Sequence, residues 1–212
     1  MILKNNKKIQ NKIMWGEWEK ILNYFSIDSG CIVIDVGACV GDMTIAAAKR
    51  AKKVISIEPE PKNVNLLQEN VKKNNLNNVY VIESVAWCSQ KKLQLYINKF
   101  DRGGHSVVIK DPNRKKIEVQ ADTLDNIIDR FGLKKIDLLK INVEGAEVEV
   151  FQGMKKSLPL VENIIVDTHS LVEGNTLEKV RQILKENGFV CKIEINSKDS
   201  DNIGILAERG GR

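Results

Sequence analysis

The sequence predicts an α/β fold: one seven-stranded, mostly parallel sheet with helices on both faces and one antiparallel strand in its edge region. Three observations predict it. Short apolar runs alternate with helix-favouring stretches along most of the 212 residues, the pattern of successive β-α-β units. The first apolar run ends in an acidic residue and a glycine-containing turn, with an Ala-rich helical stretch behind it. The last two apolar runs are separated by too short a connection for parallel pairing, so they are expected to run antiparallel.

The elements follow in order. Trp15, Trp18, Ile21, Leu22 and Phe25 stand at helical spacing and Ser29-Gly30 stops them, giving an amphipathic helix in an N-terminal extension, residues 1–30, packed on a single domain at 31–212. The first strand is expected at 31–36, a helix at 42–51 and the second strand at 54–58. Pro61 opens a helix that reaches the stop at Asn74 and Asn75, because proline is tolerated in a first helical turn. A third strand is expected at 79–85. Two short strands at 93–97 and 117–119 then flank the polar, Gly-containing stretch 101–114, which reads as an excursion from the main sheet and a loop for contacting substrate. Asp122 precedes a helix through Leu124, Ile127, Ile128 and Phe131. Strand 136–141, a helix starting near Glu147, strand 164–167, helix 177–187 stopped by Gly188, and strands 189–195 and 203–207 complete the order.

Composition narrows the class. A hydrophobic content of 42% supports one covered core, and the net charge of +5 is spread among nearly as many acidic residues, which argues for a solvated surface over a polyanion-binding one. The N-terminal lysines lack an apolar run behind them, and no stretch approaches the roughly 20 residues of a membrane span. Cys31, Cys39, Cys88 and Cys191 are scattered without a Cys-x-x-Cys pair, the usage of reduced thiols in the cytoplasm. The expectation is a cytoplasmic protein with no membrane association; composition says nothing of its oligomeric state.

Chemistry is concentrated at three strand ends. In Asp35-Val36-Gly37-Ala38-Cys39-Val40-Gly41, Gly37 and Gly41 let a ligand approach the backbone, but the middle and third glycines of a pyrophosphate-binding Gly-x-Gly-x-x-Gly turn are absent, which counts against a nicotinamide cofactor. An acidic residue at this strand end suits a cationic or amino-bearing ligand such as the methionine end of S-adenosylmethionine. Glu58, about 20 residues on at the next strand end, stands where such folds place a carboxylate for ribose hydroxyls. The third element is Lys140-Ile141-Asn142-Val143-Glu144-Gly145-Ala146-Glu147, an apolar strand opening onto polar side chains.

With these motifs the chain resembles the FkbM-type branch of the class I S-adenosylmethionine-dependent methyltransferases, which act mostly on hydroxyls of sugars and other small metabolites. The resemblance rests on the turn from Asp35 to Gly41, Glu58-Pro59, Thr123-Leu124-Asp125 and the signature from Lys140 to Glu147, and more weakly spans about 18–207. It implies a Rossmann-like fold and a cofactor site built from Asp35, Gly37, Ala38, Gly41, Glu58 and Asn142. Two positions depart from the family: its usual Asn is Cys39 here, and its usual Asp is Asn142, an amide that could orient cofactor or acceptor but is a poor base.

The catalytic set is therefore His169, Glu144, Asn142 and Asp167. Methyl transfer gains from positioning and from removal of the acceptor proton, and His169 has the intrinsic pKa of a neutral-pH base, oriented by Asp167 or Glu144. Its alternative is a histidine that caps a strand end, and Glu144 and Glu147 could equally be favourable charge in a first helical turn. Asp167, His169 and Glu144 could in principle ligate a divalent ion, yet we expect no metal. The leading expectation is an O-methyltransferase for a small-molecule acceptor. RNA methylation is the less favoured alternative, since the chain lacks Asn-Pro-Pro-Tyr and an evident RNA-binding appendage. A non-catalytic S-adenosylmethionine-binding protein is the other, motivated by Asn142.

Overall fold

The computed structural model describes residues 16–169, 175–196 and 202–210. Trp15 and the N-terminal lysines lie outside them. Helix α1 (Trp18–Tyr24) buries Ile21 and Leu22. Strands and helices then alternate: β1 (Ile32–Val36), α2 (Asp42–Ala48), β2 (Lys53–Glu58), α3 (Pro61–Lys73) and β3 (Val79–Glu83). The excursion comprises β4 (Val85–Ala86), β5 (Lys91–Ile97) and β6 (Lys115–Asp122). Next come α4 (Leu124–Arg130), β7 (Ile136–Ile141), α5 (Glu147–Gln152), a 3-10 turn at Leu158–Leu160 and β8 (Val161–Thr168). The end of the chain holds α6 (Thr176–Glu186), β9 (Phe189–Asn196) and β10 (Ile203–Arg209).

The main sheet has seven strands in the order β3-β2-β1-β7-β8-β10-β9, and among them β10 alone runs opposite to the rest. The expected antiparallel strand is thus in the edge region, one place inside the edge, with β9 beyond it. Strand β3 is shorter than the expected 79–85, because Val85 and Ala86 leave the main sheet and pair with β6 in a second, three-stranded sheet of order β4-β6-β5.

The continuous apolar runs of β1 and β7 are buried on both faces, as strands inside a doubly covered sheet must be. On one face, Ile34, Ile55 and Leu139 pack with Ile127 of α4, Val150 of α5 and Val180 of α6. On the other, Val33, Val54, Leu138 and Ile165 pack with Ile21 and Leu22 of α1 and Met43 and Ala47 of α2. Helix α1 is therefore seated on the core beside α2.

Helix starts follow the chain's polar residues, with one difference from expectation. Thr123 caps α4 by accepting the Asn126 N–H at 3.1 Å, whereas Asp122 accepts from the Thr123 N–H and the Asn126 side chain, each at 2.8 Å. Asp122 is the last residue of β6, so its backbone is committed to the ladder and the cap falls to the next residue.

Candidate active site

Strands β1, β2, β7 and β8 run parallel, so their C-terminal ends open onto one crevice, the ligand-binding edge of such sheets. A pocket lies there, where small-molecule sites form in such sheets. Gly37, Cys39, Glu58, Asn142 and Glu144 line it, and Val85, Ala86, Leu95 and Val107 supply an apolar wall from the second sheet and its loop. Arg102, Gly103 and His105 also line it, so the expected excursion does reach the site. Ser106 fastens that loop to the exit of β7 by donating to the Glu144 carbonyl at 2.7 Å.

The first turn is built by its backbone. Gly37 has φ 74°, and a Cβ there would lie 1.7 Å from the Asn142 carbonyl oxygen, so only glycine lets the exits of β1 and β7 meet. Gly41, at φ 100°, forms the N-terminal boundary of α2. Cys39 also takes a left-handed conformation, φ 51°, where asparagine is among the few favoured side chains. Burial, with the charge of Glu58, pushes the Cys39 thiol up to about 11, which leaves it a protonated filler.

Glu58 is 5% exposed and ties two segments together. Its carboxylate accepts from the Cys39 N–H at 2.9 Å and the Glu60 N–H at 3.1 Å, with the Asn63 amide at 3.3 Å. Burial pushes its carboxyl above the usual range, and these hydrogen bonds pull the other way. Asn142 lines the same cavity, and its Oδ1 is buried without a hydrogen-bond partner among the described residues.

Three of the expected cofactor residues, Asp35, Ala38 and Gly41, are not in the cavity lining. Asp35 is fully buried; Lys140 Nζ lies 2.9 Å from its Oδ1, and Thr44 donates to its Oδ2 at 2.7 Å. Lys140 also donates to the Gly37 carbonyl at 2.7 Å, and the Thr44 and Ser56 hydroxyls share a bond of 2.8 Å. The carboxylate thus holds the lysine that holds the turn. Sequence reasoning gave Lys140 no role, yet a lysine inside a doubly buried strand must be paired, and Asp35 is its in-register neighbour.

The catalytic candidates divide likewise. Asn142 and Glu144 line the cavity, whereas Asp167 and His169 stand behind Glu144 at the end of β8. His169 Nδ1 lies 2.8 Å from Glu147 Oε1, and Nε2 lies 3.0 Å from Glu144 Oε1 and 4.0 Å from Asp167 Oδ2. Burial would lower the imidazole pKa, but the bonds to Glu144 and Glu147 outweigh it and raise it to about 10. That shift favours an imidazolium at neutral pH, a form with no lone pair to offer as a base. Burial, with the charges of Glu147 and Glu144 set against that of His169, pushes Asp167 up to about 6. Glu144 and Glu147 contact the His169 ring directly, and among the described residues no cluster is arranged to hold a metal ion. His105 is of the opposite kind: burial lowers its pKa, and its Nδ1 accepts the Asn98 N–H at 3.0 Å, so the neutral ring carries its proton on Nε2.

Comparison with known proteins bears on this arrangement. The model of the "Methyltransferase FkbM domain" matches residues 35–191. The chain is 23% identical to Methyltransferase sdnD of Sordaria araneosa over 197 residues, 77% of this chain and 75% of that one. It spans less than a third of several other curated relatives. Methyltransferase FkbM from Methylobacillus flagellatus superposes with a TM-score of 0.62 at 14% identity, covering 85% of this chain and 44% of that one. TrmK of M. capricolum, solved with the cofactor product S-adenosylhomocysteine, superposes with a TM-score of 0.56 at 14% identity, covering 89% and 67%. Solved rRNA methylases also share the fold.

Proposed function

The chain belongs to the FkbM family of methyltransferases, and on that premise we propose that it moves a methyl group from S-adenosylmethionine to a hydroxyl on a sugar or other small metabolite in the cytoplasm. The carrying observation is the single cavity wall in which Gly37, Glu58 and Asn142 meet. Glu58 is the ligand for the ribose hydroxyls, and the unpartnered Asn142 Oδ1 is an acceptor for the cofactor's amino-bearing end. The apolar wall of Val85, Ala86 and Leu95 suits an adenine ring. Asp35 acts at one remove, through Lys140 and the Gly37 carbonyl. Held by these residues, the cofactor would supply an electrophilic methyl group for transfer to the acceptor oxygen.

The small-molecule reading is favoured by the roof over the site. The loop pinned by Ser106, with Arg102 and His105 in the wall, covers the pocket from one side and leaves no open groove there for a polymer. The test is calorimetry with S-adenosylmethionine, followed by measurement of S-adenosylhomocysteine released with a panel of hydroxylated metabolites and with RNA at low salt. Tight binding and turnover on a metabolite support the proposal. Turnover on RNA alone, with steep salt dependence, replaces it with the RNA reading. Tight binding with no turnover on any acceptor favours a non-catalytic binding protein.

A further inference from the structure

We infer that Glu144 takes the proton of the acceptor hydroxyl and that His169, held by Glu147, is a positioning residue that fixes Glu144 for that task. The inference rests on the methyltransferase reading above. It starts from ring geometry: both nitrogens of His169 face a carboxylate oxygen, at 2.8 Å and 3.0 Å. A neutral imidazole has one N–H and one lone pair, so either tautomer would turn a lone pair towards a carboxylate. With both carboxyls ionised, only the doubly protonated ring satisfies both contacts.

The groups facing the ring come from each element around it: Glu144 from the exit of β7, Glu147 from α5, Asp167 from β8 and, beyond Asp167, Lys140. Glu147 is fully buried, and its Oε1 also accepts the Gly145 N–H at 3.1 Å, which anchors the ring to the turn that carries Glu144. That turn is unusual. Glu144 has φ 53°, a conformation a non-glycine residue keeps only where its surroundings enforce it, and Ser106 holds its carbonyl from the other side. Of the carboxylates around the ring, Glu144 alone lines the cavity. The imidazolium faces its Oε1 at 3.0 Å, which leaves the proton-accepting role to Oε2.

The step is balanced without a further reagent. The acceptor hydroxyl gives its proton to Glu144 Oε2 as its oxygen bonds to the methyl carbon, and the proton later leaves to solvent. Asn142, which cannot accept a proton at neutral pH, stands beside this route as a hydrogen-bonding group. The proton acceptor thus lies two residues beyond the position where the family pattern has an Asp.

The chain has two histidines, so nitrogen NMR can read the ring directly. In the full-length protein labelled with ¹⁵N-histidine, one ring should show two protonated nitrogens throughout pH 6–8. Glu144→Gln should lower that ring's pKa, and His169→Gln should abolish the signal. In parallel, Glu144→Gln should reduce kcat by about a hundredfold, in line with loss of a general base, while S-adenosylmethionine affinity by calorimetry stays within about threefold. His169→Gln should lower kcat with a smaller effect on KM. A neutral His169 at pH 7.5, or Glu144→Gln turnover within threefold of wild type, would overturn the inference. A wild-type protein that binds no S-adenosylmethionine overturns the methyltransferase reading and the proton-acceptor role with it; the spectrum still decides the imidazolium clamp.

Discussion

At the residue scale, the two turns beside the site make opposite demands. Gly37 has no room, so Gly37→Ala should cost about 3 kcal/mol or more by driving a Cβ into the Asn142 carbonyl, seen as loss of soluble protein or a collapse of the urea midpoint. That differs from filling the cofactor space, the effect its sequence context suggests. Cys39 has the wrong backbone for most side chains: Cys39→Asn should raise the melting temperature, and the β-branched Cys39→Val should cost about 1–2 kcal/mol. A variant order reversed in thermal melts would contradict the backbone account. His169 has a folded-state pKa raised to about 10 from 6.5, so its stabilising contribution is complete below about pH 6.5 and fades as pH rises towards 10. Asp167, raised from 3.8 to about 6, acts in the same sense but at lower pH, with its effect complete by about pH 6. Urea unfolding between pH 6.5 and 10 should therefore show a decline in wild type that flattens in His169→Gln. What the sequence displayed at this scale was residue type at a strand end. It could not display that two carboxylates bracket the His169 ring, because Glu144 and Glu147 reach it from other elements.

At the element scale, the strands were legible wherever both faces are apolar. Strand β7 falls on the expected residues, and β1 and β2 within one residue. The end of β3 was not, because Val85 and Ala86 are as apolar as the strand before them and only their partner in β6 takes them away. Lys140 was hidden for a related reason: its partner Asp35 lies on a strand about a hundred residues earlier. The pair is 4% and 0% exposed, so Lys140→Met leaves a buried carboxylate uncompensated and should cost about 3–5 kcal/mol. The Asp35→Asn, Lys140→Met double variant should lose less than the sum of the two single losses, because they share one interaction. Strict additivity in urea titrations would mean that the pair is not coupled. The excursion was legible as an interruption in the β-α-β rhythm, though its role as a roof depended on the bond from Ser106 to Glu144.

For the whole molecule, the site is formed only when β1, β2, β7 and the second sheet are assembled, so cofactor binding should report on the entire fold. Saturation at a hundred times the dissociation constant adds about 2.7 kcal/mol, a rise of roughly 5–10 °C in melting temperature for a chain of this size, and NAD should leave it unchanged. A rise with NAD alone would reassign the cavity. The order of the sheet carries a consequence for synthesis. Strand β10 comes last among the described strands, yet it sits between β8 and β9 and pairs with both. While the chain is still emerging from a ribosome, β8 and β9 have no partner on those edges, and the sheet stays split until residues 203–209 arrive. A nascent chain of this protein is thus an open template for other strands until β10 is available, and it is before then that a chaperone would matter most.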